Sequence, residues 1–290
     1  MSHYLIALDY DGTAGNTFVE SPRHINVDMA YSLAIAQLFG HKGLEIYRGE
    51  GGHHNRAPTE IVDALLKKGC YQSALSPDKL TERLIQLKLD VLLDEVSPEW
   101  PMPCYGFLNF WQTLEELRST DGIDLRTAVI SSGHEAFIRK TFDVWGVSQP
   151  DYLVTEDDIR PRRYPSEQER RFKPGCLSLA IAHRKWLVDT RGDGYSADIA
   201  ASSKPFMIYL GDDDKKDGGL ANKARLPFGL FKEGARYEQS PNGFTFGDWN
   251  IIAASLRNSS QAMREGRSFS EILNQRHIGI EGRVRTERMQ

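Results

Sequence analysis

The chain has 290 residues, 40% of them hydrophobic and 26% charged, with a formal net charge of −4. That length can bury a full core in one large or two modest domains, and the composition is ordinary for a soluble globular protein. The weak negative charge gives no long-range attraction to nucleic acid or anionic membrane, no run approaches the roughly 18 apolar residues of a spanning helix, and Cys70, Cys104 and Cys176 suggest neither a disulfide framework nor a zinc site.

The first element is a short apolar run at 4–8 that stops at Asp9, the pattern of a buried parallel strand. It opens on Asp9-Tyr10-Asp11-Gly12-Thr13. Two carboxylates one residue apart at a strand exit can share a site, one attacking or binding metal while the other manages protons. More than 100 residues separate this run from the next, far beyond a normal crossover, and they read as helices. Asn26 caps an expected helix at 27–39 that Gly40 ends; Pro58 opens a second, running through 61–67. Ser76-Pro77 opens a third with Leu80, Leu84, Leu87 and Val91 on one face. Between the first two helices lies Arg48-Gly49-Glu50-Gly51-Gly52-His53-His54-Asn55-Arg56. Arg48, His53, His54 and Arg56 are candidate contacts for an anionic or hydroxylated substrate. Pro98, Pro101 and Pro103 mark the return linker.

A second strand is expected at 127–130, followed by Ser131-Ser132-Gly133. A hydroxyl and backbone N–H groups leading into a helix make an anion cradle. After a helix at 135–145 comes a third strand at 152–155, then Lys173-Pro174-Gly175 ahead of a helix at 177–187. A lysine there can put a point charge on a phosphate oxygen. An exposed loop is expected at 189–203. The fourth strand, 206–210, ends on Gly211-Asp212-Asp213-Asp214-Lys215-Lys216-Asp217, whose clustered carboxylates call for a hard cation such as magnesium. Alternating strands and helices predict a doubly wound parallel α/β sheet, and ligands of such sheets bind beyond the carboxyl ends of the strands, where all four polar clusters fall.

In this order, the four clusters resemble the motifs of the haloacid dehalogenase-like (HAD) superfamily across about residues 1–249, with the first cluster matching DxDGT closely. The resemblance implies a Rossmann-like core with an inserted helical cap that closes over the site. It implies that Asp9 attacks phosphorus and Asp11 serves as general acid and base. Ser131 and Lys173 would hold phosphoryl oxygens, with Thr13, Ser132 and Gly133 lining the substrate. Mg²⁺ would bind Asp9, the carbonyl of Asp11, and acids among Asp212, Asp213 and Asp217. Three positions depart from the pattern: Tyr105 replaces a usual proline before Gly106, Asn16 stands where many relatives carry Asp, and Asp217 lies five residues past Asp212.

The expected organisation is a catalytic core at 1–15 and 99–257, a helical cap at 16–98, and a mobile Arg/Glu-rich tail at 258–290. The expected activity is magnesium-dependent hydrolysis of a small phosphorylated metabolite in the cytoplasm, with no nucleic acid or membrane partner. Asp11 argues against the dehalogenase and phosphonate-cleaving branches. A sugar phosphomutase, which uses the same core residues, and a non-catalytic binding protein are the alternatives.

Overall fold

A computed structural model describes residues 1–19, 23–53, 56–70, 75–159, 173–241 and 243–273. They divide into two compact units, one of Met1–Gly15, Pro103–Glu135 and Trp145–Gln290, the other of Asn16–Met102 and Ala136–Val144.

The first unit is built on β1 (Ser2–Leu8), whose Tyr4, Leu5, Ile6, Ala7 and Leu8 are all buried, as a strand covered on both faces requires. The short β2 (Gly15–Asn16) and β3 (Met102–Pro103), which pair with each other, mark where the chain leaves and rejoins this unit. β4 (Ile123–Ile130), β5 (Tyr152–Val154), β6 (Met207–Gly211), β7 (Phe228–Phe231), β8 (Glu238–Ser240) and β9 (Gly243–Phe246) complete a seven-stranded sheet ordered β5-β4-β1-β6-β7-β9-β8. All neighbours are parallel except β8 and β9. This is the doubly wound arrangement, and the chain reverses its direction of growth across the sheet at β1.

Helices follow the strands. In chain order they are α1 (Val27–Gly49), α2 (Pro58–Lys67), α3 (Pro77–Glu95), α4 (Phe107–Arg118), α5 (Glu135–Trp145), α6 (Glu156–Ile159), α7 (Leu177–Arg191), α8 (Ala197–Ser202), α9 (Gly219–Ala224), α10 (Trp249–Asn258), α11 (Ser260–Arg264) and α12 (Phe269–Ile272). From α7, Leu179, Ala182 and Trp186 pack with Leu5, Ala7, Ala128 and Tyr209 of the sheet. α4 meets α10 through Phe107, Phe110 and Trp249, whose ring centroid lies 4.5 Å from that of Phe110. A fully buried tryptophan of this kind is worth about 3–5 kcal/mol against alanine.

The second unit buries Tyr31, Ala34, Ile35 and Phe39 of α1 against Ile61, Val62 and Leu65 of α2 and Leu80, Leu84 and Leu87 of α3. Asn26 accepts from the Met29 N–H at 2.9 Å, Ser76 accepts from Lys79, and α1 breaks at Gly40, where φ is 70°. Helix resumes beyond the break to Gly49. Leu92 is buried where the expected stripe continued through the half-buried Val91. Residues 136–144 of α5 group with this unit, and the Phe137 ring lies 5.7 Å from that of Trp100.

Three expectations are corrected. The sheet continues through β7–β9, whose three- and four-residue strands are too short to show a strand pattern, β7 and β9 each also carrying a glycine and β8 being wholly polar. The loop at 189–203 is largely helical: α7 runs to Arg191, and Ser196 caps α8 by accepting from Ile199 at 3.3 Å. The first part of the expected mobile tail is packed, because Met263, Phe269 and Ile272 are buried and the Tyr4 hydroxyl donates to the carbonyls of Met263 and Arg267. Residues 274–290 lie outside the described residues.

Candidate active site

Strand register brings the polar clusters together. Leu8 aligns with Val129 on one side and Leu210 on the other, so Asp9, Ser131 and Asp212 emerge at the same edge of the sheet. The Asp9 N–H donates to Leu210 at 2.9 Å. The chain then turns tightly, the N–H groups of Ala14 and Gly15 both returning to the Tyr10 carbonyl. Gly12 has φ 74°, and a Cβ there would lie 2.4 Å from Oδ2 of Asp212. Glycine is therefore required twice over, by conformation and by the neighbouring carboxylate.

Around this edge the side chains interlock. Lys173 Nζ lies 2.5 Å from Oδ1 of Asp9 and 2.9 Å from Oδ1 of Asp217. The Tyr209 hydroxyl donates to the same Asp217 oxygen at 3.2 Å, and the Asp213 N–H donates to the other at 3.2 Å. Thr13 donates to Oδ1 of Asp212 at 3.1 Å, and Ser131 donates to Oδ2 of Asp11 at 3.3 Å. The Ser131 hydroxyl in turn accepts from the Gly133 N–H at 2.8 Å.

The five-residue spacing from Asp212 to Asp217 has a structural counterpart. Asp214–Gly218 forms a single π-helical turn, in which Gly218 donates to the Asp213 carbonyl five residues back. A π-turn absorbs one extra residue in a helix start, and such turns recur at functional positions. Here it aims the nearly fully buried Asp217 inward. Gly211 makes the room, since a Cβ there would sit 2.5 Å from the Asp217 side chain. Asp213 instead caps the turn, its Oδ1 accepting from the N–H groups of Lys215 at 2.9 Å and Lys216 at 3.0 Å. Burial works to raise its pKa, but those two N–H groups and the Lys216 charge hold it below the usual carboxylate range.

The electrostatics are lopsided. Among the described residues, four carboxylates, from Asp9, Asp11, Asp212 and Asp217, lie about one ammonium, that of Lys173. Burial raises the pKa of Asp9 well above normal, against the pull of Lys173 and with the repulsion of Asp217 and Asp11 added. Burial, followed by the charge of Asp217, also raises the pKa of Asp212. Burial disfavours the charge on Lys173, yet Asp217 and Asp9 hold its pKa well above the ordinary value. A buried surplus of negative charge is costly unless a cation offsets it. One carboxylate oxygen each from Asp9, Asp212 and Asp217 lies within 4.8 Å of the other two, an all-oxygen set suited to a hard divalent ion. Both Asp217 oxygens already accept hydrogen bonds, whereas Asp212 keeps Oδ2 beside Gly12; Asp9 and Asp212 therefore fit such an ion best.

The remaining predicted residues are placed as follows. Thr13 is fully buried with its hydroxyl committed to Asp212. Ser132 is exposed, and the Gly133 N–H is engaged by Ser131. In the second unit Arg48 is exposed at the end of α1, and Arg56 pairs with Glu50 at 3.1 Å. The His53 ring stacks between Phe18 and Tyr31 while its Nδ1 meets Asp28 at 2.8 Å. His54 lies outside the described residues. Sequence reasoning missed Tyr209 and Trp249, whose indole donates to the Thr13 carbonyl at 3.0 Å. The signal for Tyr209 is a polar hydroxyl within an otherwise apolar strand, which demands a buried partner; Trp249 carries no comparable mark.

No protein-family model and no curated protein matches this chain. Among the described residues, no helix is long and apolar enough to cross a membrane. The solved structures similar to it are consistently HAD-type hydrolases and their relatives. A 2-haloacid dehalogenase from Pseudomonas syringae pv. Tomato aligns at 14% identity and TM-score 0.49 over 89% of this chain and 99% of its own. A β-phosphoglucomutase from Clostridium difficile aligns at 13% and 0.45 over 80% and 86%. A HAD phosphatase from Thermococcus onnurineus aligns at 13% and 0.42 over 87% and 97%. With identities and scores this low, the fold rests on the sheet order above and the chemistry on the side chains.

Proposed function

We propose that this chain is a HAD-like phosphohydrolase that cleaves a small phosphorylated metabolite through an aspartyl phosphate on Asp9, with Mg²⁺ as cofactor. The observation that carries the reading is the pairing of one buried lysine with Asp9 at the exit of the central strand, inside a surplus of carboxylates. A phosphate dianion alone would be repelled there; with a divalent ion held by Asp9 and Asp212, joined by the Asp11 carbonyl as the motif resemblance implies, the same pocket becomes a phosphoryl site. When bound, the ion neutralises charge on the transferring group and orients it.

The chain's own residues then divide the work. A carboxylate oxygen of Asp9 forms a bond to phosphorus as the ester P–O bond breaks. Lys173 and Ser131 hold the equatorial oxygens, and Asp11 delivers its proton to the departing oxygen. Water next attacks phosphorus, giving a proton to Asp11, and the P–O bond to Asp9 breaks to release inorganic phosphate. Asp217 takes no part in bond making; with Tyr209 it keeps Lys173 in position.

The test is acid-quenched intact-protein mass spectrometry after mixing with nitrophenyl phosphate and magnesium. Asp11→Asn retains an acyl phosphate, about 80 Da heavier, on Asp9, because a good leaving group needs little acid help while hydrolysis still needs a base. Asp9→Asn shows neither label nor turnover, and wild type loses turnover in excess chelator. Label on Ser131 or Ser132, or activity in Asp9→Asn, would overturn the assignment.

A further inference from the structure

The site above occupies the carboxyl end of β6. At the other end of that strand, roughly 13 Å away at 3.3 Å per residue, lies a cavity of about 250 Å³ lined by Cys176, Leu179, His183, Lys204, Met207, Lys223 and Leu226, together with Ala180 and Ala224. Its charged side chains, Lys204 and Lys223, share one sign. Lys204 donates to the Ala224 carbonyl at 2.9 Å, and neither it nor Lys223 has a carboxylate partner among the described residues. The His183 Nε2 pairs with the Ser203 hydroxyl at 2.8 Å. In a chain whose overall charge is negative, two lysines line this cavity and no acid is among its lining residues. Burial and then Lys204 push the His183 imidazole down to about 4, while burial raises the Cys176 thiol against the pull of Lys223 and Lys204. The rest of the lining, Leu179, Met207 and Leu226, is apolar and buried.

We infer that this cavity is a second binding site, for a small organic anion whose oxyanion head lies between Lys204 and Lys223 and whose short hydrocarbon body rests on Leu179, Met207 and Leu226. Concave, mostly apolar pockets with a few convergent polar groups are the usual form of ligand sites, and this one is sized for a short-chain acid rather than a nucleotide. Its walls belong to the segments that carry the catalytic groups. Cys176 follows Lys173 by three residues, its thiol reaches the Leu220 carbonyl at 3.8 Å, and Gly219 packs so closely on Pro174 that an added Cβ would lie 2.9 Å from that ring. An occupant would thus sit against the two segments that deliver Lys173 and Asp217.

The probes are butyrate, acetate and inorganic phosphate, titrated into the full chain while histidine ring resonances are followed by NMR, with the His183 signal identified by its loss in His183→Gln. Butyrate moves the His183 signal saturably, with a dissociation constant on the order of 1 mM. Acetate and phosphate move it only at several-fold higher concentration, since neither fills the apolar floor. Lys223→Gln, which alters an exposed side chain, weakens butyrate about tenfold. Asp9→Asn leaves butyrate binding unchanged, so the result stands or falls apart from the phosphatase reading. An unmoved His183 signal, equal binding by Lys223→Gln, equal response to all three anions, or loss of binding in Asp9→Asn would each overturn the inference.

Discussion

Both units of this protein gather polar side chains into clusters, but they balance them differently. In the inserted unit, the ring of His53 lies 5.6 Å from Phe18 and 5.1 Å from Tyr31, stacked nearly parallel to each, and its Nδ1 meets the exposed Asp28, to which the Tyr47 hydroxyl also reaches at 3.4 Å. Donors and acceptors there satisfy one another within the unit. Among the described residues of the core, four carboxylates gather about the ammonium of Lys173, and the arrangement is left short of positive charge. The contrast teaches how to tell two kinds of polar cluster apart. A cluster closed on itself stabilises; a cluster with a charge deficit calls for something from outside.

Substitutions at five positions probe that contrast, in falling order of effect. Lys173→Ala removes the one cation and lowers kcat/KM for an aryl phosphate about 10²-fold or more, with Lys173→Arg restoring only part, because a planar fork does not occupy the place of a compact ammonium. Steady-state rates within twofold of wild type would put Lys173 outside the site. Gly211→Ala forces a methyl to within 2.5 Å of Asp217, so the acid must move from Lys173. Activity should fall roughly tenfold and stability by about 1–3 kcal/mol; a melt and a rate that both match wild type would remove the packing argument.

Tyr209→Phe deletes one hydrogen bond to Asp217 and should cost about 1 kcal/mol, seen as a several-fold drop in kcat/KM that Asp217→Asn does not add to. Full additivity of the two changes would show that Tyr209 acts elsewhere. The smallest effect on chemistry belongs to the inserted unit. His53→Ala should lower stability by about 1–2 kcal/mol through the lost stack and hydrogen bond while aryl phosphate hydrolysis stays within about twofold. Arg48→Ala, exposed at the end of α1, should leave the melt unchanged and shift relative rates across a panel of phosphorylated metabolites. If His53→Ala alters preference without altering stability, His53 reads the substrate and the stack is incidental.

Much of the core was legible because its signals are local. An apolar run that ends abruptly in polar residues is a buried strand leaving a sheet, whatever else surrounds it, and β1, β4, β5 and β6 all lie on such runs. The caps on α1 and α3 were equally local, each a single side chain satisfying an N–H of its own first turn. β7–β9 were not, because three or four residues, glycine-containing in β7 and β9 and wholly polar in β8, carry too little pattern to stand out from a loop.

By itself, then, the sequence determined the order of the catalytic segments and the identity of Asp9, Asp11, Ser131 and Lys173 as candidates, since residue type and distance from a strand end are properties of the chain. It did not determine which of Asp212, Asp213 and Asp217 faces inward. Those three carboxylates are chemically equivalent, and their directions depend on the backbone path and on contacts with residues far away in the chain. The π-turn at Asp214–Gly218 rotates Asp217 toward Lys173, Gly211 clears the space it fills, and the N–H groups of Lys215 and Lys216 turn Asp213 aside. The partnership of Tyr209 with Asp217, and of Trp249 with Thr13, likewise exists only once the sheet has closed, because each joins groups whose meeting no local spacing encodes.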